Sequence, residues 1–177
     1  IPGIANRGFE VNAACASSTV GMALGALKIA RGEFGAILVC AADVVTAFVF
    51  SGFSALKALT PSVCRPFDRN RNGMSIGDGA VAILLADAVT ARKHNLERLA
   101  RVSGWGISND ANHITGPARD GSGLAVALET ALNRAAIRAD DVQAYCAHGT
   151  GTVFNDAMEL AAIKTTFGDR RLPVFSV

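Results

Sequence analysis

The run FEVNAACASSTVGMALGALKIARGEFGAILVCAA, from Phe9 to Ala42, changes its periodicity twice. Phe9 to Ala14 mixes apolar and small side chains and predicts a short strand. After Cys15, the stretch Ala16 to Arg31 is rich in Ala and Leu and predicts a helix. Gly32 follows, a residue suited to the left-handed backbone that ends a helix. Ala36 to Ala42 is a short continuous apolar run, as expected of a buried strand.

The same alternation continues downstream. Ala80 to Leu85 predicts another buried strand, and Asp87 a cap for a short helix ending near Lys93 and His94. Leu99 to Ile107 and Val142 to Ala147 predict strands, while Leu124 to Ala136 and Asp156 to Phe167 predict helices. Thr60 to Ile76 and Ser108 to Gly121 are loops by composition, and His148 to Phe154 is a Gly/Thr-rich turn. The sum is an α/β layered fold with a largely buried sheet. There is no short-period repeat and no linker.

Composition narrows the function classes. The 177 residues suffice for one domain, and half of them are hydrophobic. A net charge of +2, without interleaved basic and aromatic residues, argues against a nucleic-acid partner. Cys15, Cys40, Cys64 and Cys146 form no CxxC pair, and His94, His113 and His148 are scattered among them. That spacing argues against zinc and against a disulfide framework, and favours reduced thiols in the cytoplasm. No apolar run reaches the roughly 20 residues of a membrane span, and no secretory leader opens the chain. Both ends, Ile1 and the apolar Leu172 to Val177, read as cut.

Two residues carry the chemistry. Cys15 stands in NAACASS at a predicted strand-to-helix junction, where the helix dipole favours a thiolate and small neighbours leave the sulfur accessible. Backbone N–H groups on such a turn can face a developing oxyanion. Cys40 and Cys146, inside apolar strands, fit buried structural roles instead. Cys64 lies in an arginine-rich loop with no evident activating partner. His148 ends the strand VQAYCA and opens HGTGT, so its ring should project from the sheet edge into a cleft. Gly149 and Gly151 permit a tight turn there, and Thr150 and Thr152 offer hydroxyls to an amide- or phosphate-bearing ligand.

NAACASS at Asn12 to Ser18, CRPFDRNRNGMSIGDGA at Cys64 to Ala80, DANHITGP at Asp110 to Pro117 and AHGTGTVFNDAME at Ala147 to Glu159 resemble the β-ketoacyl synthases. These are the elongating, decarboxylative condensing enzymes of fatty-acid and polyketide pathways. The resemblance implies a thiolase-like α-β-α-β-α fold, incomplete in this chain, and an intact enzyme that is a homodimer. Residues 1 to about 90 would close the N-terminal half and about 91 to 177 open the C-terminal half.

By the same resemblance, Cys15 accepts an acyl group from an acyl carrier protein, and His148 stabilises the enolate left when malonyl-carrier loses carbon dioxide. Thr150 and Thr152 hold the phosphopantetheine arm, Thr115 lines its channel, and Phe53 borders the acyl pocket. No cofactor or metal is implied, because the substrates are carried on phosphopantetheine.

Some of the family's pattern is missing. Its second catalytic histidine, in a Lys-Ser…Gly-His motif, would follow Val177, as would a Gly/Phe-rich segment that completes the oxyanion hole. Glu159 resembles the acid that pairs with that lysine. The chain alone is therefore expected not to condense substrates. A thiolase, a chain-length-factor-like partner subunit and a Cys–His thioester hydrolase are the competing readings. HGTGT and RPFD weigh against the first, Cys15 against the second, and the motif order against the third.

Other features have plainer readings. Gly77 to Ala82 fits a loose dinucleotide pattern but precedes a strand, the reverse of that motif's context. Arg65, Arg69 and Arg71 read as a solvated loop, with carrier docking the sharper alternative, as for Lys57. His113 is expected to order its loop, and His94 to end a helix. Asp156 and Glu159, three apart on one helix face, read as structural salt-bridge partners. Ala36 to Ala42 is the candidate dimer edge.

Overall fold

The computed structural model describes residues 8–177, which divide into two compact units that interleave along the chain. The first holds residues 8–42 and Gly79–Arg101; the second holds Asp43–Asp78 and Val102–Val177.

In the first unit, helix α1 (Ser17–Ala30) precedes strand β1 (Ala36–Asp43), which neighbours β2 (Gly79–Ala86) in a two-stranded sheet. Gly32 has φ +70°, the left-handed conformation expected after the helix. Ile37, Val39 and Leu85 lie against Gly25 of α1. Side chains alternate across a strand, so Leu38 and Leu84 point away from α1 and are exposed; Val81, on the same side as Leu85, is also exposed. The expected burial on both faces is thus corrected: within this unit α1 covers one face, and that only in part. The helix α3 (Ala88–Lys93) starts as the sequence predicts, with the Asp87 carboxylate accepting the Thr90 N–H at 2.6 Å. That bond holds the Asp87 carboxyl below its ordinary range.

No strand ladder forms over Phe9 to Ala14; an isolated bridge joins Ala13 and Cys15. Leu99 to Ile107 also lacks a ladder among the described residues. A strand is defined by its pairing partner, and periodicity does not supply one.

The second unit is built on two packed helices, α4 (Ser122–Ala135) and α5 (Val153–Phe167). Beside them, β3 (Tyr145–Cys146) pairs in parallel with β4 (Val174–Phe175) in the register Tyr145 to Val174 and Cys146 to Phe175. The strand expected over Val142 to Ala147 contracts to those two paired residues. Helix α2 (Ala47–Ala55), capped by the Thr46 hydroxyl accepting the Val49 N–H at 3.2 Å, has no counterpart in the sequence reading. Its composition, AFVFSGFSA, is rich in aromatic and small residues and lacks helix-favouring charges.

Gly106 approaches α4 so closely that a β-carbon there would overlap the Ala127 carbonyl, which is fixed in the helix backbone. Gly106→Ala is therefore expected to destabilise the protein by about 2 kcal/mol. Urea denaturation monitored by circular dichroism checks this; an unchanged midpoint would mean that the segment slides freely.

Candidate active site

Cys15 belongs to the first unit. Ala14 has φ +48°, a conformation that costs a non-glycine residue about 1 kcal/mol or more and is found at functional turns. Ser17 straps this turn: its hydroxyl accepts the Ala13 N–H at 2.9 Å and donates to the Ala14 carbonyl at 2.7 Å. Cys15 follows, exposed, and Ala16 is the N-cap of α1, so the thiol stands just ahead of the helix rather than within it. The first turn of α1 holds no acidic residue and its N-cap makes no side-chain bond, which leaves the positive end of the helix uncancelled by its own side chains. Sequence reasoning overlooked Ser17; its signal was a hydroxyl two residues after the cysteine.

His148, Thr150, Thr152, Thr115, Phe53 and Glu159 all lie in the second unit. The turn from His148 to Thr152 joins β3 to α5, and two buried carboxylates of α5 hold it. Glu159, 2% exposed, accepts the N–H of His148 at 2.8 Å, the N–H of Gly149 at 3.0 Å and the Tyr145 hydroxyl at 3.1 Å. Burial, and then the adjacent Glu159 carboxylate, push the Tyr145 hydroxyl far above its ordinary pKa, so it remains a donor. His148 itself is exposed, its backbone tied down from beneath.

Asp156, fully buried, accepts the N–H of Gly151 at 3.1 Å and the N–H of Phe67 at 2.8 Å. It also lies 3.4 Å from Arg71 Nε. Arg71 donates in turn to the carbonyls of Thr152 and Val153, at 3.4 and 2.9 Å. The salt-bridge reading thus holds for one of the two carboxylates. Asp156 does pair with an arginine, but Glu159 serves as a backbone acceptor, because each turn N–H taken from water needs a partner. Arg71 likewise belongs to this network and not to a freely solvated loop.

The Thr150 and Thr152 hydroxyls lie 2.9 Å apart, and both residues are partly buried. Gly151, at φ +74°, fits against the RPFD loop: a β-carbon would stand 2.7 Å from the Gly73 carbonyl and 2.8 Å from Cys64 Sγ. Cys64 donates to the Thr150 carbonyl at 3.3 Å, giving it a partner the sequence did not reveal. Cys40 and Cys146 are exposed, contrary to the buried roles expected of them, because both sit on strand faces left uncovered within their units.

Thr115 lies in an exposed loop, its N–H donating to His113 Nδ1 at 3.1 Å; this is the loop-ordering role expected of His113. Phe53 is partly buried in α2. The described residues include no group of His, Cys, Asp or Glu side chains able to hold a metal ion. No helix among them is long and apolar enough to cross a membrane.

Residues 4–91 match the family model described as "Beta-ketoacyl synthase, N-terminal domain", and residues 99–177 match "Beta-ketoacyl synthase, C-terminal domain". The chain belongs to the β-ketoacyl synthase family. It is 38% identical over 162 residues to "Nodulation protein E" of Rhizobium leguminosarum bv. trifolii, covering 91% of this chain and 40% of that protein. It is 35% identical over 162 residues to "3-oxoacyl-[acyl-carrier-protein] synthase 2" of Staphylococcus aureus, covering 88% of this chain and 40% of the relative. The structure "The ishigamide ketosynthase/chain length factor" superposes with a TM-score of 0.86 at 36% identity, over 92% of this chain and 40% of the other. The fold is accordingly thiolase-like α/β, and this β-ketoacyl synthase chain spans about 40% of the length of the relatives it matches.

Proposed function

We propose that the protein carrying this chain condenses an acyl thioester with malonyl-acyl carrier protein to give a β-ketoacyl thioester. The observation that carries this reading is the exposed Cys15 on its strapped turn ahead of α1, within the NAACASS motif. The Cys15 thiolate attacks the acyl-carrier thioester, forms a new thioester and releases the carrier as its thiolate, which takes a proton from solvent. Malonyl-carrier then loses carbon dioxide, and the electron pair left behind becomes an enolate whose oxygen is stabilised by His148. That carbanion attacks the acyl-Cys15 carbonyl, and the tetrahedral intermediate collapses to expel the Cys15 thiolate. Thr150, Thr152 and Thr115 hold the phosphopantetheine arm, and Phe53 borders the acyl chain. No resident cofactor enters the scheme.

Residues 1 to about 90 close the N-terminal half of the enzyme and about 91 to 177 begin its C-terminal half. The intact enzyme works as a cytoplasmic homodimer, with β1 as the candidate edge between copies.

Incubation of the protein with an acyl-carrier thioester is expected to add the acyl mass to Cys15, located by peptide mass spectrometry. Cys15→Ala is expected to abolish that adduct. An unmodified Cys15 in a folded protein would overturn the catalytic reading in favour of a partner subunit of the chain-length-factor kind.

A further inference from the structure

We infer that Arg119, stacked on Phe154, receives the phosphate of the phosphopantetheine arm; the inference rests on the pantetheine reading of Thr115, Thr150 and Thr152. Arg119 follows a loop that braces itself. The Asp110 carboxylate accepts the Asn112 N–H at 3.1 Å and the Ala118 N–H at 2.8 Å. The Asn112 side chain reaches the Gly116 carbonyl at 3.4 Å, and His113 holds Thr115. These bonds also keep the Asp110 carboxyl below its ordinary range, Ala118 contributing most.

The end of the loop runs along α5. Gly121 packs so closely there that a β-carbon would stand 2.6 Å from the Met158 carbonyl. Two residues earlier, the Arg119 guanidinium carbon lies 4.7 Å from the centre of the Phe154 ring. Phe154 is in the first turn of α5, and Thr152 is the N-cap of that helix. Arg119 thus lies against the first turn of the helix that Thr152 caps, at the end of the same loop that carries Thr115.

The arginine's charge is uncommitted. It is exposed and forms no ion pair among the described residues. Arg71, which reaches the Thr152 carbonyl, is by contrast engaged by Asp156. A guanidinium laid on an aromatic ring keeps its edge N–H groups available, in a fork that matches two oxygens of a phosphate. The pantetheine arm presents amides and a hydroxyl to threonines and ends in one phosphate. A cation held on the first turn of the helix that Thr152 caps suits that phosphate.

The test compares Cys15 acylation by free acyl-pantetheine with acylation by free acyl-phosphopantetheine, neither attached to a carrier. The native protein is expected to favour the phosphorylated thioester in kcat/KM on the order of tenfold. Arg119→Gln is expected to bring the phosphorylated thioester down to the level of the unphosphorylated one, and Arg119→Lys to retain part of the preference. Equal rates in the native protein, or a preference that survives Arg119→Gln, overturn the inference. So does an effect of Arg119→Gln confined to carrier-bound thioester, which would assign Arg119 to acidic side chains of the carrier. Acylation without phosphate preference sinks this inference and leaves the proposed function standing; no acylation by either thioester sinks both.

Discussion

Asp156→Ala is expected to lower the unfolding free energy by about 3–5 kcal/mol, because it removes one partner of a buried charge pair. Four groups depend on that carboxylate, among them the Thr150 hydroxyl at 3.4 Å. The N–H groups of Phe67 and Gly151 lose their acceptor, and Arg71 loses its counter-charge with its side chain only 17% exposed. Nothing in the remaining side chain can replace them, and water would have to enter a site that is closed in the native protein. Asp156→Asn keeps one acceptor oxygen and is expected to fall between the native protein and the Ala variant. Urea denaturation of the three proteins checks the order. An Ala variant as stable as the native protein would mean that the RPFD loop and the HGTGT turn are held by other contacts.

Glu159→Gln tests the second strap and is expected to separate structure from chemistry. The amide oxygen can keep the two bonds made by one carboxylate oxygen, those from His148 and Tyr145. The amide nitrogen then faces the Gly149 N–H, so a bond of 3.0 Å becomes two opposed donors. An unsatisfied buried donor costs about 1–3 kcal/mol, and the turn must move to relieve it. His148 sits on that turn. In the full-length protein, under the proposed function, the expected result is a stable, folded variant that still acylates Cys15 but condenses about 100-fold more slowly, since the enolate would lose a positioned donor. Glu159→Asp, shorter by one methylene, is expected to restore the acceptor set only in part. Equal loss of acylation and condensation would make Glu159 a purely structural residue.

Local signals were readable without any fold. Asp87 caps α3 because its carboxylate reaches an N–H three residues away, and Gly32 ends α1 because it accepts positive φ. Both effects act within one helical turn. The two motif turns were legible for the same reason, as small residues just ahead of a helix. Helix α2 was not legible: AFVFSGFSA has weak intrinsic helix preference, and a short segment of that kind owes its shape to its surroundings.

The sequence by itself thus determined the family motifs, most helix positions and the residue types placed on each turn. The tertiary structure assigned their working partners: Ser17 beneath the Cys15 turn, Glu159 beneath His148, and Asp156 between Arg71, Phe67 and Gly151. It also left Cys40 and Cys146 exposed and denied Leu99 to Ile107 a strand partner among the described residues. The division follows the range of the forces. Capping and periodicity act between neighbours in the chain, whereas burial and strand pairing depend on segments that only folding brings together.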